Sequence, residues 1–226
     1  MNIIEAKQIT KVYRTENIVN KVIKGIDLTV AKNEFISIIG PSGSGKTTLL
    51  YLLSGLEKYT DGTIKLFKKE LNEYTDNEMS VLRQKSIGFV FQFYNLIPNL
   101  NVYENILLAS IIAGRKDEEK IEEVLKMVGM ENYKKLYPNQ ISGGQKQRVA
   151  IARALVNEPD LIFADEPIGN LDYKNGIAIM EIFKNLNTNY NKTIVLVTHN
   201  EDMIKYGTRF LRLIDGEIIE DEKVFE

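Results

Sequence analysis

The sequence predicts an α/β protein with a mainly parallel sheet and an inserted lobe of helices. Three runs that are apolar at almost every position (87–91, 161–164 and 194–197) are typical of strands buried on both faces, as in a parallel sheet. Between the first two runs, apolar residues recur at helical spacing: Ile121, Val124, Leu125 and Val128. We therefore expect one domain over 1–226, with a mainly helical lobe over roughly 95–157.

The first third of the chain and its end predict further strands. Three segments rich in β-branched and aromatic side chains come first: 3–9, 22–30 and 35–39. Lys32-Asn33 predicts a turn between the last two of these. Asp61-Gly62 predicts another turn, followed by a strand over 63–67. Residues 210–219 predict a hairpin that turns at Asp215-Gly216.

Helices are predicted by apolar stripes and by capping residues. The helix that contains Ile121 has an expected N-cap at Asp117 and an expected C-cap at Gly129. A second stripe is formed by Ile179, Met180, Ile182, Phe183 and Leu186. A third, which ends before Pro159, is formed by Val149, Ala152 and Val156.

Composition excludes several classes of function. The chain has no Cys, so disulfide scaffolds, zinc ribbons and thiol nucleophiles are excluded, and its one His, His199, allows no His-cluster metal site. The net charge of -2 argues against a nucleic-acid partner. The most apolar run, 106–113, is far shorter than the roughly 20 residues of a membrane span, and the first residues do not resemble a secretory signal. We expect a cytoplasmic chain whose membrane role, if any, depends on a partner.

Residues 40–47 read Gly-Pro-Ser-Gly-Ser-Gly-Lys-Thr and fit the phosphate-loop pattern G-x-x-x-x-G-K-[ST]. The loop follows the strand over 35–39 and precedes a helical segment over 47–56. This order lets backbone N–H groups and the helix N-terminus surround an anion. Lys46 can reach the β- and γ-phosphates, and the Thr47 hydroxyl can bind Mg²⁺. The alternative is a Gly/Ser-rich surface turn.

Two carboxylates follow the buried run 161–164. Asp165 lies at the carboxyl end of a strand, where open α/β sheets bind ligands, and is the candidate Mg²⁺ ligand. Glu166 is placed to orient and polarise an attacking water. Without the phosphate loop, an Asp-Glu pair at this point would more often be a solvated turn.

Residues 141–145, Ile-Ser-Gly-Gly-Gln, resemble the signature motif L-S-G-G-Q of ABC-type ATPases, and the resemblance extends from Tyr13 to the final hairpin. It implies a P-loop NTPase core with a mainly parallel sheet, an N-terminal antiparallel β subdomain and an inserted α-helical subdomain. It also implies a homodimer in which the signature of one protomer contacts ATP bound to the other. The alternative for Ser142 and its glycines is a plain helix cap.

The resemblance also implies individual roles. Tyr13 would stack on adenine, Gln92 would sense Mg²⁺ and the water, Asp172 would lie at the dimer interface, and His199 would contact the γ-phosphate. Ordinary surface packing of Tyr13 and a structural His199 are the alternatives. The implied catalytic residues are Lys46, Gln92, Glu166 and His199. The implied metal ligands are Thr47, Gln92 and Asp165. The implied ATP contacts are Tyr13, Gly40, Pro41, Ser42, Gly43, Ser44, Gly45, Lys46, Thr47, Thr48, Ser142, Gly143, Gly144 and Gln145.

Segments 89–92 and 166–172 resemble one branch of the family, which contains ATPases of lipoprotein release, macrolide export, antimicrobial-peptide resistance and cell division. Two features depart from the usual pattern: Ile168 stands where most relatives have Thr, and 67–70 lacks an Asp-Gly turn. The branch implies ATP hydrolysis that powers a membrane permease, by export or by mechanotransmission, from the inner face of the membrane. The alternative is a soluble ABC ATPase that is not coupled to transport.

The cluster over 93–97, Phe-Tyr-Asn-Leu-Ile, has two interpretations. In the family, a short cytoplasmic helix of the membrane subunit docks in a groove at this point, and an aromatic and aliphatic cluster beside a mechanistic loop suits that role. Alternatively, the cluster packs inside the helical lobe.

Overall fold

The computed structural model describes residues 1–15 and 18–224, which form ten strands and six α-helices. The strands are β1 (Asn2–Thr15), β2 (Ile18–Ala31), β3 (Phe35–Ile39), β4 (Asp61–Leu66), β5 (Lys69–Glu70), β6 (Ile87–Val90), β7 (Leu161–Asp165), β8 (Thr193–Thr198), β9 (Arg209–Ile214) and β10 (Glu217–Lys223). The helices are α1 (Lys46–Leu53), α2 (Asp76–Lys85), α3 (Val102–Ile112), α4 (Glu118–Met127), α5 (Gly143–Leu155) and α6 (Tyr173–Thr188). Over 1–15 and 18–224, no helix has the length and apolar character that crossing a bilayer requires.

Contacts divide the chain into two compact units, Met1–Met79 with Thr193–Glu226, and Ser80–Lys192. In the first unit, β2, β1, β4 and β5 form an antiparallel sheet in that order. Strand β3 pairs in parallel with β8 and β9, and β10 pairs antiparallel with β9. Every residue of β3 and β8 is buried, as their continuous apolar runs predict.

Strand β1 is longer than the predicted segment 3–9. Its second half is half-buried or exposed, so no apolar alternation marks it in the sequence. Pairing with β2 up to Thr15, opposite Ile18, extends the strand. Long-range pairing therefore overrides the weak local signal.

Two turns differ from the sequence prediction. The expected turn at Asp61-Gly62 is wrong, because both residues begin β4. Gly62 has φ +100, and a Cβ there would lie 2.5 Å from the backbone oxygen of Gln8, beside an irregularity in the β1–β4 ladder. A different turn, which the sequence did not predict, joins β4 to β5 at Phe67 and Lys68, with φ values of 50° and 73°. The hairpin turn at Asp215-Gly216 is confirmed, with φ values of 46° and 78°.

The second unit is built around α5. This helix contacts α3, α4, α6 and β6, and β6 pairs in parallel with β7. Asp117 caps α4 by accepting a hydrogen bond from the Lys120 N–H at 2.9 Å, so the predicted N-cap is confirmed. The C-cap is Val128 and not the predicted Gly129, which follows it with φ +69 and ends the helix in a left-handed conformation. The predicted boundaries of the helical lobe, 95–157, stay a prediction, although α3, α4 and α5 lie within them.

Helix α2 was not predicted from the sequence. Met79 is its one buried residue, so it has no apolar stripe. Thr75 starts the helix, because its hydroxyl accepts the Glu78 N–H while a Glu78 carboxylate oxygen accepts the Thr75 N–H. The Thr75 and Glu78 spacing of this reciprocal cap is the sequence feature that could have predicted the start of α2.

Candidate functional site

The phosphate loop leaves the buried strand β3 and depends on glycine geometry. Gly40, Gly43 and Gly45 have φ values of 151°, 83° and 99°, a region that side chains rarely adopt. A Cβ at Gly40 would also lie 2.1 Å from the Leu213 backbone oxygen. The glycine positions of the motif therefore follow from backbone conformation and close packing.

The loop contains groups that suit an anionic ligand. Gly45 caps α1 without any side-chain hydrogen bond, so the helix N-terminus has no side-chain cap. The Ser44 hydroxyl is buried and has no hydrogen-bond partner among residues 1–15 and 18–224. The Lys46 ammonium bonds to the backbone oxygens of Gly40 at 2.9 Å and Pro41 at 3.0 Å, which holds its charge over the loop. A phosphate group would suit both the hydroxyl and the helix N-terminus.

The turn between β9 and β10 is hydrogen-bonded to the phosphate loop. The Gly216 N–H donates to the Ser44 backbone oxygen at 3.0 Å, and the Gly216 oxygen accepts the Lys24 N–H at 3.0 Å. A Cβ at Gly216 would lie 2.2 Å from the Val22 oxygen. This turn therefore links the loop to β2 at a point where no side chain fits.

The structure brings His199 to the same sheet edge as the loop. Ile39 and Thr198 are register partners of the parallel strands β3 and β8, so Gly40 and His199 leave neighbouring strands at their carboxyl ends. His199 is exposed. The Thr198 hydroxyl accepts the Asn200 N–H at 3.1 Å and shapes the turn that carries His199.

Tyr13 is also close to the loop. Its hydroxyl donates to a Glu57 carboxylate oxygen at 2.6 Å, and the Thr48 side chain hydrogen-bonds to the same hydroxyl. Burial and the neighbouring Glu57 carboxylate raise the pKa of Tyr13. Because Thr48 belongs to α1, Tyr13 is attached to the helix that follows the loop, and 40% of its surface remains exposed.

In the second unit, the candidate carboxylates and Gln92 follow neighbouring strands. Val90 and Ala164 are register partners in β6 and β7, so the two strands end at the same edge. Asp165 is buried at the end of β7. Glu166 has φ +45, an uncommon conformation for a non-glycine residue, and its backbone oxygen accepts the Gly169 N–H at 3.0 Å.

Gln92 is tied to the segment that follows Glu166. The Asn170 side-chain amide donates to the Gln92 backbone oxygen at 3.2 Å, and the Gln92 amide lies 3.5 Å from the Asn170 side-chain oxygen. A Cβ at Gly169 would lie 3.0 Å from the Gln92 amide nitrogen. Asn170 therefore fixes Gln92 beside the carboxylate segment.

Ser142 begins α5 through a reciprocal cap. Its hydroxyl accepts the Gln145 N–H at 3.3 Å, and the Gln145 side-chain oxygen accepts the Ser142 N–H at 2.9 Å. Gly143 and Gly144 are closely packed: added Cβ atoms would lie 2.9 Å from the Tyr94 hydroxyl and 2.8 Å from an Asn175 side-chain oxygen, so a larger residue would require these side chains to move. Hydrogen bonds and close packing therefore involve four of the five motif residues, 142–145.

Asp172 caps α6. Its two carboxylate oxygens accept the Asn175 N–H at 2.9 Å and the Asn175 side-chain amide at 2.6 Å. These hydrogen bonds lower the pKa of Asp172. The residue is exposed, so its predicted place at a dimer interface stays a prediction.

The segment over 91–95 is held by α5 through two residues that the sequence did not single out. Gln147 is fully buried and its amide lies 3.5 Å from the Phe91 oxygen, while the Arg153 guanidinium donates to the Tyr94 and Asn95 oxygens at 2.9 and 2.5 Å. Their targets are main-chain oxygens more than fifty positions away, and no sequence pattern marks such partners.

The two interpretations of the 93–97 cluster apply to different residues. Phe93 is 70% exposed and Ile97 is also exposed, whereas Tyr94 packs against Gly143. Asn105 accepts the Ile97 N–H at 2.8 Å and donates back to the Ile97 oxygen at 3.2 Å. The backbone is therefore packed into the unit while Phe93 and Ile97 face outward.

Comparison with known proteins shows the family. A model of the ABC transporter family matches residues 23–169, and the chain belongs to that family. It is an ATP-binding and ATP-hydrolysing subunit, and the expected cassette fold is confirmed. The matched residues contain the phosphate loop, the signature segment and both carboxylates.

Individual relatives match over nearly the whole chain. The lipoprotein-releasing system ATP-binding protein LolD of Cytophaga hutchinsonii is 41% identical over 96% of this chain and 99% of its own. The bacitracin export ATP-binding protein BceA of Halalkalibacterium halodurans is 44% identical over 96% of this chain and 87% of its own. A solved dimeric ATP-binding cassette of Methanocaldococcus jannaschii, bound to ADP and Pi, superposes with a TM-score of 0.90 at 41% identity over 99% of both chains. These relatives confirm the predicted branch.

Proposed function

We propose that this chain powers a membrane permease that releases or exports lipoproteins, peptides or antibiotics. The observation that carries the proposal is the near-complete alignment with LolD and BceA, whose names describe lipoprotein release and bacitracin export. The chain would lie on the cytoplasmic face of the membrane, attached through the permease. A soluble ABC ATPase without transport is the weaker alternative, because the names of LolD and BceA place those relatives in release and export systems.

The proposed chemistry is hydrolysis of the β–γ bond of ATP between two protomers. Lys46 stabilises charge on the phosphates, His199 contacts the γ-phosphate, and Glu166 accepts the proton of the attacking water. Tyr13 stacks on adenine, and the Ser142 end of α5 faces the nucleotide of the partner protomer. Asp172 contributes to the interface between protomers.

Mg²⁺ is proposed to bind through oxygen donors. The Thr47 hydroxyl, the Gln92 side-chain oxygen and the Asp165 carboxylate are the hard ligands that Mg²⁺ prefers, and the ion would neutralise charge on the phosphates. Support comes from the geometry within each unit: Thr47 lies in the first turn of α1 next to Lys46, and Gln92 follows the strand that pairs with the strand of Asp165.

Phe93 and Ile97 are the proposed contacts for the permease. An exposed aromatic ring beside the fixed Gln92 segment suits a docked helix, and Arg153 and Asn105 hold the backbone that presents it. Docking there would bring the permease next to a residue proposed to sense Mg²⁺.

Co-purification tests this proposal. The tagged chain extracted from its own cells in mild detergent should carry a multi-span membrane protein, and Phe93→Asp should lose most of it while keeping the thermal midpoint. Ile219→Asp, a similarly exposed apolar residue on β10, is the matched control and should retain the partner. Purification of the wild-type chain with no membrane protein would favour the soluble alternative.

A further inference from the structure

Lys11 occupies one face of the Tyr13 ring. The two residues lie two positions apart on β1, and the β1–β2 ladder has an irregularity between Lys11 and Val12. The Lys11 ammonium lies 4.8 Å from the Tyr13 ring centroid, 2.9 Å from a Glu57 carboxylate oxygen and 2.7 Å from the Lys58 backbone oxygen. Its three N–H donors thus have a carboxylate, a carbonyl and an aromatic face as partners.

Glu57 joins the two side chains. One of its oxygens accepts both the Tyr13 hydroxyl and the Lys11 ammonium. Burial alone would raise the pKa of Glu57, but hydrogen bonds from Tyr13 and Lys11 lower it, so the carboxylate stays ionised at neutral pH. The Lys11 side chain is only 13% exposed, and this limits screening of the pair by solvent.

The Tyr13 ring is consequently fixed at two points. Its hydroxyl is held by Glu57 and Thr48, and one face is covered by a cation. A ring whose rotamer is already fixed loses little conformational entropy when a ligand stacks on it. The part of Tyr13 that remains exposed is available to a planar ligand.

We propose that Lys11 and Glu57 are positioning residues that hold the Tyr13 ring for a nucleotide base. They act through Tyr13 and contribute to binding of the base, not of the phosphates. This inference rests on the adenine contact of Tyr13 in the proposed function. Sequence reasoning did not find the pair, since Glu57 follows α1 and meets Lys11 only in the folded chain.

Calorimetric titration with two ligands tests the inference. ATP carries a base, whereas inorganic tripolyphosphate offers phosphates alone, and both are titrated in the presence of Mg²⁺. Lys11→Met keeps the aliphatic stem and Glu57→Gln keeps the shape, and each should weaken ATP about fivefold while tripolyphosphate changes less than about twofold. Lys7→Met, an exposed lysine on the same strand, should change neither. Tyr13→Phe, which loses only the hydroxyl, should resemble Glu57→Gln.

Three outcomes would overturn the inference. Equal weakening of ATP and tripolyphosphate would mean that the pair supports the loop in general. Unchanged ATP binding in Lys11→Met and Glu57→Gln, with strong weakening in Tyr13→Ala, would remove the positioning role and leave the adenine contact intact. If Tyr13→Ala also binds ATP normally, both the positioning role and the proposed adenine contact of Tyr13 are wrong.

Discussion

At the scale of single residues, Glu166 combines a proposed chemical role with an unfavourable backbone. A left-handed conformation at a non-glycine residue costs on the order of 1–3 kcal/mol and tends to occur at functional sites. The hydrogen bond from Gly169 to its backbone oxygen, and the buried strand before it, hold that conformation. The sequence predicted the carboxylate but could not reveal the strain, which depends on the following turn.

Arg153 provides a prediction about stability. Burial lowers the pKa of Arg153, and two of its guanidinium N–H groups donate to the Tyr94 and Asn95 backbone oxygens. Arg153→Met removes both donors, so we expect the free energy of unfolding in urea to fall by about 2–4 kcal/mol. Arg153→Lys, with one point-like ammonium, should recover part of the loss.

Arg115→Met is the control for that measurement. Arg115 is exposed, and its nitrogen lies 3.9 Å from a Glu158 carboxylate oxygen, so its removal should change the free energy of unfolding by less than about 0.5 kcal/mol. Equal effects of the two Met variants would contradict the proposed tie between α5 and the Gln92 segment.

At the scale of elements, two hairpins show where sequence reasoning succeeds. Both have two-residue turns with positive φ at both positions, the conformation that matches strand twist. Asp215-Gly216 was predicted because its residue types favour that turn. Phe67-Lys68 was not, because neither residue favours it and pairing of β4 with β5 enforces the conformation.

The Lys68 turn therefore predicts a stabilising change. Lys68 is exposed with φ +73, so Lys68→Gly should raise the free energy of unfolding by about 1 kcal/mol and the thermal midpoint by roughly 2–4 °C. Lys65→Gly, at an exposed position inside β4, should lower stability by about 0.5–1 kcal/mol. Destabilisation by Lys68→Gly would show that the side chain contributes more than the backbone strain.

At the scale of the whole molecule, the fold class predicted from the sequence is confirmed, whereas the roles of the site residues stay a prediction. The fold class could be predicted because each motif lies in a continuous segment, in which a strand, a loop and a helix follow one another along the chain. The missing parts are contacts between distant segments, such as Asn170 with Gln92 or Glu57 with Lys11. The spacing of apolar residues along the chain predicts helices and strands, but it does not indicate which distant backbone or side-chain oxygen a given side chain will contact.

Dimerisation provides the prediction at this scale. Glu166→Gln removes the proposed base but keeps the shape of the side chain, so phosphate release should fall at least about 100-fold while ATP still binds. Light scattering should then detect a dimer with ATP and a monomer with ADP. Glu181→Gln, exposed on α6, is the matched control and should hydrolyse ATP normally without a stable dimer. Near-normal turnover by Glu166→Gln would exclude Glu166 as the base.

The support of the phosphate loop by Gly216 has a consequence for synthesis of the chain. The ribosome makes residues 40–47 long before the hairpin that donates to the Ser44 oxygen and packs on Gly40. A nascent chain therefore contains the complete phosphate loop before it contains the turn that is hydrogen-bonded to the loop. ATP affinity should be acquired late in translation, only after Gly216 has emerged from the exit tunnel.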